Sequence, residues 1–197
     1  MADGQQSRMG VVAIRRNKGE RLQRCLRSIP PGIPMVYVDS ASIDDSVAFA
    51  RSVGADVVEL DMRLPFSAAR ARNEGAARLA ARHPELAFVQ FVDGDCEFEP
   101  GWLAEATRFL ETEPEFAAVC GRRRERYPEA TFYNRLCDAE WDTPPGKPRR
   151  AEATPWFVSA LLLPSAAMMA RSLPAKSPNF VRGFARAAGG SGGLMRR

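Results

Sequence analysis

Short, almost continuously apolar runs alternate with helix-forming stretches along the first 120 residues of this 197-residue chain. The runs fall at residues 11–14, 35–38, 57–60, 88–92 and 117–120, the fourth interrupted only by Gln90. Between them lie stretches predicted to be helical at 20–28, 44–53, 67–81 and 102–110. The first carries Leu22, Cys25 and Leu26 at helical spacing, and the third is rich in Ala and Arg. Pro30-Pro31-Gly32 breaks the chain before the second run. Strands that are apolar on both faces and separated by helices predict a parallel sheet covered on both sides.

In such a sheet ligands bind in the crevice beyond the carboxyl ends of the strands, so the residues that follow each strand matter most. After the first strand stands Arg15-Arg16-Asn17-Lys18-Gly19, after the second Asp39-Ser40-Ala41-Ser42, and after the fourth Asp93-Gly94-Asp95-Cys96-Glu97. Three polar clusters at one sheet edge suit a sugar or nucleotide whose phosphates are held through a divalent cation. Asp93-Gly94-Asp95 is the sharpest of them. Two carboxylates one residue apart can meet a hard cation such as Mg²⁺ or Mn²⁺, which takes oxygen ligands and shares its shell with substrate phosphates. The glycine between them allows close backbone approach to a ligand. Taken alone, the same triplet also fits an acidic surface turn.

Several motifs in order carry a more specific signal. Phe91-Val92-Asp93-Gly94-Asp95 resembles the D-x-D element of family 2 glycosyltransferases with the GT-A fold. The segment from Val38-Asp39 through Asp44-Asp45-Ser46 resembles that family's V-D-x-x-S-x-D-x-[ST] pattern, and Ala69-Arg70-Ala71-Arg72-Asn73-Glu74-Gly75 its A-R-x-x-G helix start. The resemblance covers residues 9–145 and implies an α/β, Rossmann-like, mostly parallel sheet, incomplete at the C-terminus. It further implies a domain over 9–150 that binds a nucleotide-diphospho-sugar donor. Asp39 is then expected at the base or ribose, with Asn17 and Arg72 beside the base and diphosphate. Asp93 and Gly94 face the donor, and Asp95, with Asp93, holds a divalent cation, Mn or Mg. Each residue also has a structural alternative: a turn for Asn17, a helix cap for Asp39, helix solvation for Arg72.

Two positions depart from the family. Arg15 replaces a small or neutral residue and Lys18 replaces a Glu, which adds positive charge beside the expected nucleotide. Arg122-Arg123-Arg124-Glu125-Arg126 reads as a solvated charge run with a phosphorylated acceptor as the alternative. His83 reads as structural, and Phe132, Tyr133 and Trp141 either line an acceptor groove or pack.

The net charge of +4 conceals an asymmetry. Residues 1–152 carry 22 Lys and Arg against 24 Asp and Glu, whereas residues 153–197 carry six Lys and Arg and no acid. Six charges over that length make a weak electrostatic footprint, so no nucleic-acid partner is expected. The four cysteines lack paired spacing, which argues against a disulfide framework or structural zinc. The polar first eight residues lack the apolar run of a signal peptide. A cytoplasmic location follows as the expectation, with room for peripheral association at the inner face of the membrane.

From residue 153 the chain changes character. Pro155, Pro164, Pro174 and Pro178 interrupt every apolar segment, and residues 188–193 have linker composition. No segment is long enough to span a membrane. Read one nucleotide earlier, the codons of Trp156-Phe157 give Met, Leu or Val followed by Val, and those around Lys176 to Val181 permit Glu-Glu-Pro-Glu-Leu-Cys. The family places a Gly-Gly-Asp-Ala segment and then an acidic segment there. The 153–197 tail is thus expected to be a frameshifted, poorly ordered version of the family's catalytic C-terminal part. No catalytic residue is assigned, because the family's general base belongs to that acidic segment and no acid follows Glu152.

The expected function is metal-dependent, inverting transfer of a sugar to a glycan or lipid-linked acceptor, in the service of polysaccharide biosynthesis. The alternative is an inactive nucleotide-sugar-binding remnant. A sugar nucleotidyltransferase requires a Gly-rich loop after the first strand, which residues 15–19 do not form. A phosphatase of the D-x-D-x-[TV] type places its aspartates after the first strand and not the fourth.

Overall fold

The computed structural model describes residues 7–17, 19–114, 116, 118–121, 123–141 and 159–162. Strands β1 (Met9–Arg15), β2 (Met35–Asp39), β3 (Asp56–Glu59) and β4 (Phe88–Asp93) alternate with helices α1 (Gly19–Arg27), α2 (Ser46–Ser52) and α3 (Ala68–Arg82). Helix α4 (Trp102–Thr112), β5 (Ala118–Cys120), α5 (Phe132–Trp141) and β6 (Ser159–Leu162) follow. The sheet order is β3-β2-β1-β4-β6-β5. Strands β1 to β4 pair in parallel, and β6 runs antiparallel to both β4 and β5.

The expected α/β architecture, a mostly parallel sheet, is thus present. Of the 153–197 segment the structure describes Ser159–Leu162, which lies beside β4 with Gln90 opposite Ala160 and Phe88 opposite Leu162. Backbone pairing makes small demands on side-chain identity, and a four-residue apolar run between prolines suffices for it.

Both faces of the central strands are buried, which explains their continuous apolar sequence. Val11 and Ala13 face a core built with Leu22, Cys25 and Leu26 of α1, Ala50 of α2 and Leu103, Ala106 and Leu110 of α4. Val12 and Ile14 face the opposite side, with Ala71 and Leu79 of α3, Val36 and Val38 of β2 and Val89 of β4. Helix α3 lies close to the sheet because Gly75 has no side chain. A Cβ there would stand 2.4 Å from Val12 Cγ1 and 2.8 Å from Val38 Cγ2.

The interruption of β4 by Gln90 has a structural reason. Gln90 is fully buried, and its Oε1 accepts the Trp102 indole N–H at 2.8 Å, fastening the start of α4 to the sheet. A buried amide is tolerated where it finds such a partner. Ser67 caps α3 by accepting Arg70 N–H at 3.1 Å, a contact typically worth about 1 kcal/mol. The Arg70 guanidinium then reaches back to the carbonyls of Asp61 (2.8 Å) and Leu64 (3.1 Å), fixing the loop before the helix.

Candidate functional site

The order β3-β2-β1-β4 places a switch point between β1 and β4. From β1 the chain proceeds outward through β2 and β3, and it returns to β4 on the other side. The connections after β1 and β4 therefore diverge and leave a crevice at the carboxyl ends. The register brings the three polar clusters level there. Ile14 pairs with Asp93, and Arg15 pairs with Asp39.

The loops after β1 and β2 are laced together. Asn17 adopts φ 50°, and its Oδ1 accepts Ile43 N–H at 2.8 Å while its own N–H donates to Ser42 Oγ at 3.0 Å. Arg16 Nε donates to the Ala41 carbonyl at 3.1 Å, and Gly19 N–H to Asp44 Oδ2 at 3.2 Å. Ser46 is the main hydrogen-bonding partner that holds the Asp44 carboxyl below the usual carboxylate range, with the Gly19 N–H adding to it. Ala41 holds φ 61°, which costs an L-residue on the order of 1 kcal/mol. Asp39 supports that strain, since its Oδ2 accepts Ser42 N–H at 2.8 Å.

Asp39 is only 2% exposed. Its second oxygen lies 2.9 Å from the Tyr37 hydroxyl, which is also 3.1 Å from the Arg15 carbonyl and shares one proton between them. Burial, and then the Asp39 charge, push the Tyr37 phenol well above its ordinary pKa. Asp39 thus organises the β2 loop through a local turn and is not a helix cap, since the residue preceding α2 is Asp45.

Asp93 and Asp95 each meet an arginine. Arg72 of α3 donates to Asp93 Oδ1 at 2.9 Å, with the two side chains 15% and 19% exposed. Arg15 lies 2.6 Å from Asp95 Oδ2. Burial raises the Asp93 carboxyl above its usual range, while Arg72 and Arg15 pull it back. Gly94 sits between them, its N–H donating to the Ile14 carbonyl at 3.1 Å. A Cβ at Gly94 would stand 2.9 Å from both Arg15 Cβ and Leu22 Cδ1, so the glycine makes room for the Arg15 stem.

The carboxylates of Asp93 and Asp95 supply the oxygen donors a hard divalent cation prefers. Among the described residues no group of three or more His, Cys, Asp or Glu side chains is assembled to hold a metal. Two protein carboxylates whose remaining coordination comes from substrate phosphates are how Mg²⁺-type sites are usually built.

Around this centre the remaining sequence expectations divide. Asn17, Asp39, Arg72, Asp93, Gly94 and Asp95 all stand on the carboxyl-end loops or the helix facing them. Lys18 and Arg122 lie outside the described residues. Within the arginine run, Arg126 pairs with Glu97 and Arg123 lies over the Trp141 ring at 3.2 Å, so it is more than a solvated face. His83 closes α3, its N–H donating to the Leu79 carbonyl at 2.8 Å. Sequence reasoning missed the Tyr37–Asp39 pair, although strand alternation places the two on one side of β2. It noted Arg15 without finding its partner.

The fold has solved counterparts. A mannosyltransferase from Pyrobaculum calidifontis, in complex with GDP-Man and Mn²⁺, is 24% identical with TM-score 0.51 over 79% of this chain and 44% of its own. Glucosyl-3-phosphoglycerate synthase from Mycobacterium tuberculosis, in complex with phosphoglyceric acid, is 21% identical with TM-score 0.53 over 78% of this chain and 56% of its own. TarS (residues 1–349) from S. aureus is 19% identical with TM-score 0.51, over 79% and 47% of the two chains. The chain thus spans about half the length of the solved structures it matches. These likenesses define the GT-A class of α/β fold.

The family model for glycosyl transferase family 2 matches residues 11–173. The chain belongs to that family. The match continues past residue 153, into the segment whose composition changes.

Proposed function

We propose that this chain binds a nucleotide-diphospho-sugar donor across the carboxyl ends of β1, β2 and β4, as the donor half of a metal-dependent, inverting glycosyltransferase. The observation that carries the reading is the register: Ile14 lies opposite both Asp93 and Val38, so Asp93 and Asp39 end adjacent rows at one sheet edge, with Asp95 two residues on. Asn17 and Asp39 then meet the base and ribose, and Arg72 meets the diphosphate. Asp95 and Asp93 hold Mn²⁺ or Mg²⁺. A mannosyltransferase bound to GDP-Man and Mn²⁺, and the glucosyl-3-phosphoglycerate synthase solved with Mn²⁺, UDP and glucosyl-3-phosphoglycerate, support this assignment.

In inverting transfer the acceptor hydroxyl oxygen attacks the anomeric carbon, the bond from that carbon to the diphosphate breaks, and a carboxylate base takes the hydroxyl proton. A bound divalent cation supplies charge neutralisation to the departing nucleoside diphosphate. Asp93 and Asp95 hold and orient the donor side of this step, and Asn17 and Asp39 fix the nucleoside. The acceptor is a glycan or a lipid-linked glycan, used in polysaccharide biosynthesis by a cytoplasmic protein at the inner membrane face. No described helix is long and apolar enough to cross a membrane.

One observation favours a second reading, a donor-binding remnant without turnover: residues 153–197 contain no Asp or Glu to act as base. We take residues 9–150 as the donor unit and 153–197 as sequence read out of frame. Sequencing the gene across codons 145–155 tests this. An alternative frame encoding Gly-Gly-Asp-Ala and then an acidic segment supports it, and the lack of one defeats it. Incubating the purified chain with UDP- and GDP-sugars separates the two functional readings, since release of UDP or GDP excludes the remnant. Donor binding itself is tested by titrating UDP and GDP with and without Mn²⁺. Binding that requires the metal and disappears in Asp95→Ala is expected.

A further inference from the structure

Arg15 is the feature of the site that the donor-binding reading leaves unused. It ends β1, paired in register with Asp39. Its guanidinium lies 2.6 Å from Asp95 Oδ2, on the carboxylate assigned to the cation. The Arg15 and Asp95 side chains are 33% and 20% exposed, so water screens the contact incompletely. The contact is also built into the backbone. Gly94 leaves the space that the Arg15 stem occupies, and a Cβ there would collide with Arg15 Cβ at 2.9 Å. A guanidinium and a divalent cation both seek carboxylate oxygen, and their like charges oppose joint occupancy of one carboxylate.

We propose that Arg15 is a built-in competitor for the cation site. Its guanidinium neutralises Asp95 in the metal-free protein and must yield when a divalent cation binds. It then turns to the donor's diphosphate, for which an arginine fork is well suited. The competition makes the cation weakly bound alone and more tightly bound with nucleotide, since the diphosphate gives the displaced guanidinium a new partner. This rests on the donor-site reading above and adds a residue that couples nucleotide to metal.

The experiment is a titration of the full chain with Mn²⁺, followed by electron paramagnetic resonance of the free ion, without nucleotide and then with UDP. Arg15→Gln is expected to bind Mn²⁺ alone about tenfold more tightly, the equivalent of losing one partly buried ion pair. At saturating Mn²⁺ the same variant is expected to bind UDP about tenfold more weakly, because one phosphate contact is gone. Opposite movements of the two affinities are not the signature of a general structural defect. Arg15→Lys, which keeps the stem and the charge, is expected between the two. Arg21→Gln removes an exposed charge on α1 and should shift Mn²⁺ affinity by less than about twofold at ordinary salt. Mn²⁺ binding that is lost in Asp95→Ala but unchanged or weaker in Arg15→Gln overturns the proposal alone. So does an equal gain in Arg21→Gln, which makes the effect one of overall charge. If no variant shows Asp95-dependent Mn²⁺ binding, the donor-site reading falls and this proposal with it.

Discussion

The body formed by β1 to β4 with α1 to α4 and the flank formed by β5 and α5 are built on different terms. In the body, Val11, Val12, Leu22, Tyr37 and Leu79 are all 0% exposed, and helices cover both sheet faces. In the flank, α5 buries no residue, and Phe132 and Tyr133 are 76% and 75% exposed. The body holds its own core, and with it the loops proposed as the donor site. The flank carries apolar side chains without a core of its own among the described residues, a patch of the kind that marks an interaction surface or an aggregation hazard. The proposed donor site therefore rests on a unit with its own core, and the flank has none among the described residues.

Paired truncations break this comparison most directly. Leu79→Ala in the body removes a fully buried side chain between α3 and the sheet, and should cost about 2–5 kcal/mol in urea unfolding. Gly75→Ala comes next. Its new methyl meets Val12 and Val38 at distances that force α3 outward, and a loss of about 1–3 kcal/mol is expected by the same measurement.

A smaller effect sharpens the body's electrostatics. Asp56 of β3 accepts from Arg78 of α3 at 2.6 and 3.0 Å, which, ahead of Arg82 and His83, holds its carboxyl below the usual range. That contribution is complete above the ordinary carboxylate pKa and is lost as pH falls through the lowered value. The stability gap between the wild type and Asp56→Asn should therefore be widest near neutrality and close under acid, as urea midpoints across pH would show. The smallest effect belongs to the flank: Phe132→Ala should change stability by no more than about 0.5 kcal/mol. A flank variant as costly as Leu79→Ala would erase the distinction between the two regions.

Much of the body was legible because its strands are buried on both faces and read as unbroken apolar runs. Element ends moved by only a residue or two: β1 begins at Met9 because Met9 and Gly10 are buried as well, and β4 reaches Asp93. Helix α5 escaped notice for the same physical reason that sets it apart. A helix that buries nothing imposes no apolar period on its sequence. Strand β6 was hidden among prolines, with only Ser-Ala-Leu-Leu to mark it. At the site, the rule that ligands sit beyond strand carboxyl ends located all three loops. The pairings Arg15–Asp95 and Arg72–Asp93 were not legible, because each joins side chains of separate elements, whereas Tyr37–Asp39 lay within reach of strand alternation and was overlooked.

The central claim is that the carboxyl ends of β1, β2 and β4 form a metal-dependent nucleotide site on the body alone. Calorimetric titration of UDP and GDP into the purified chain, with and without Mn²⁺ and beside Asp95→Ala, tests it most directly. The account predicts binding of at least one nucleotide that needs Mn²⁺ and is abolished by Asp95→Ala. Absence of binding by a chain shown to be folded, or binding indifferent to both metal and Asp95, would contradict it.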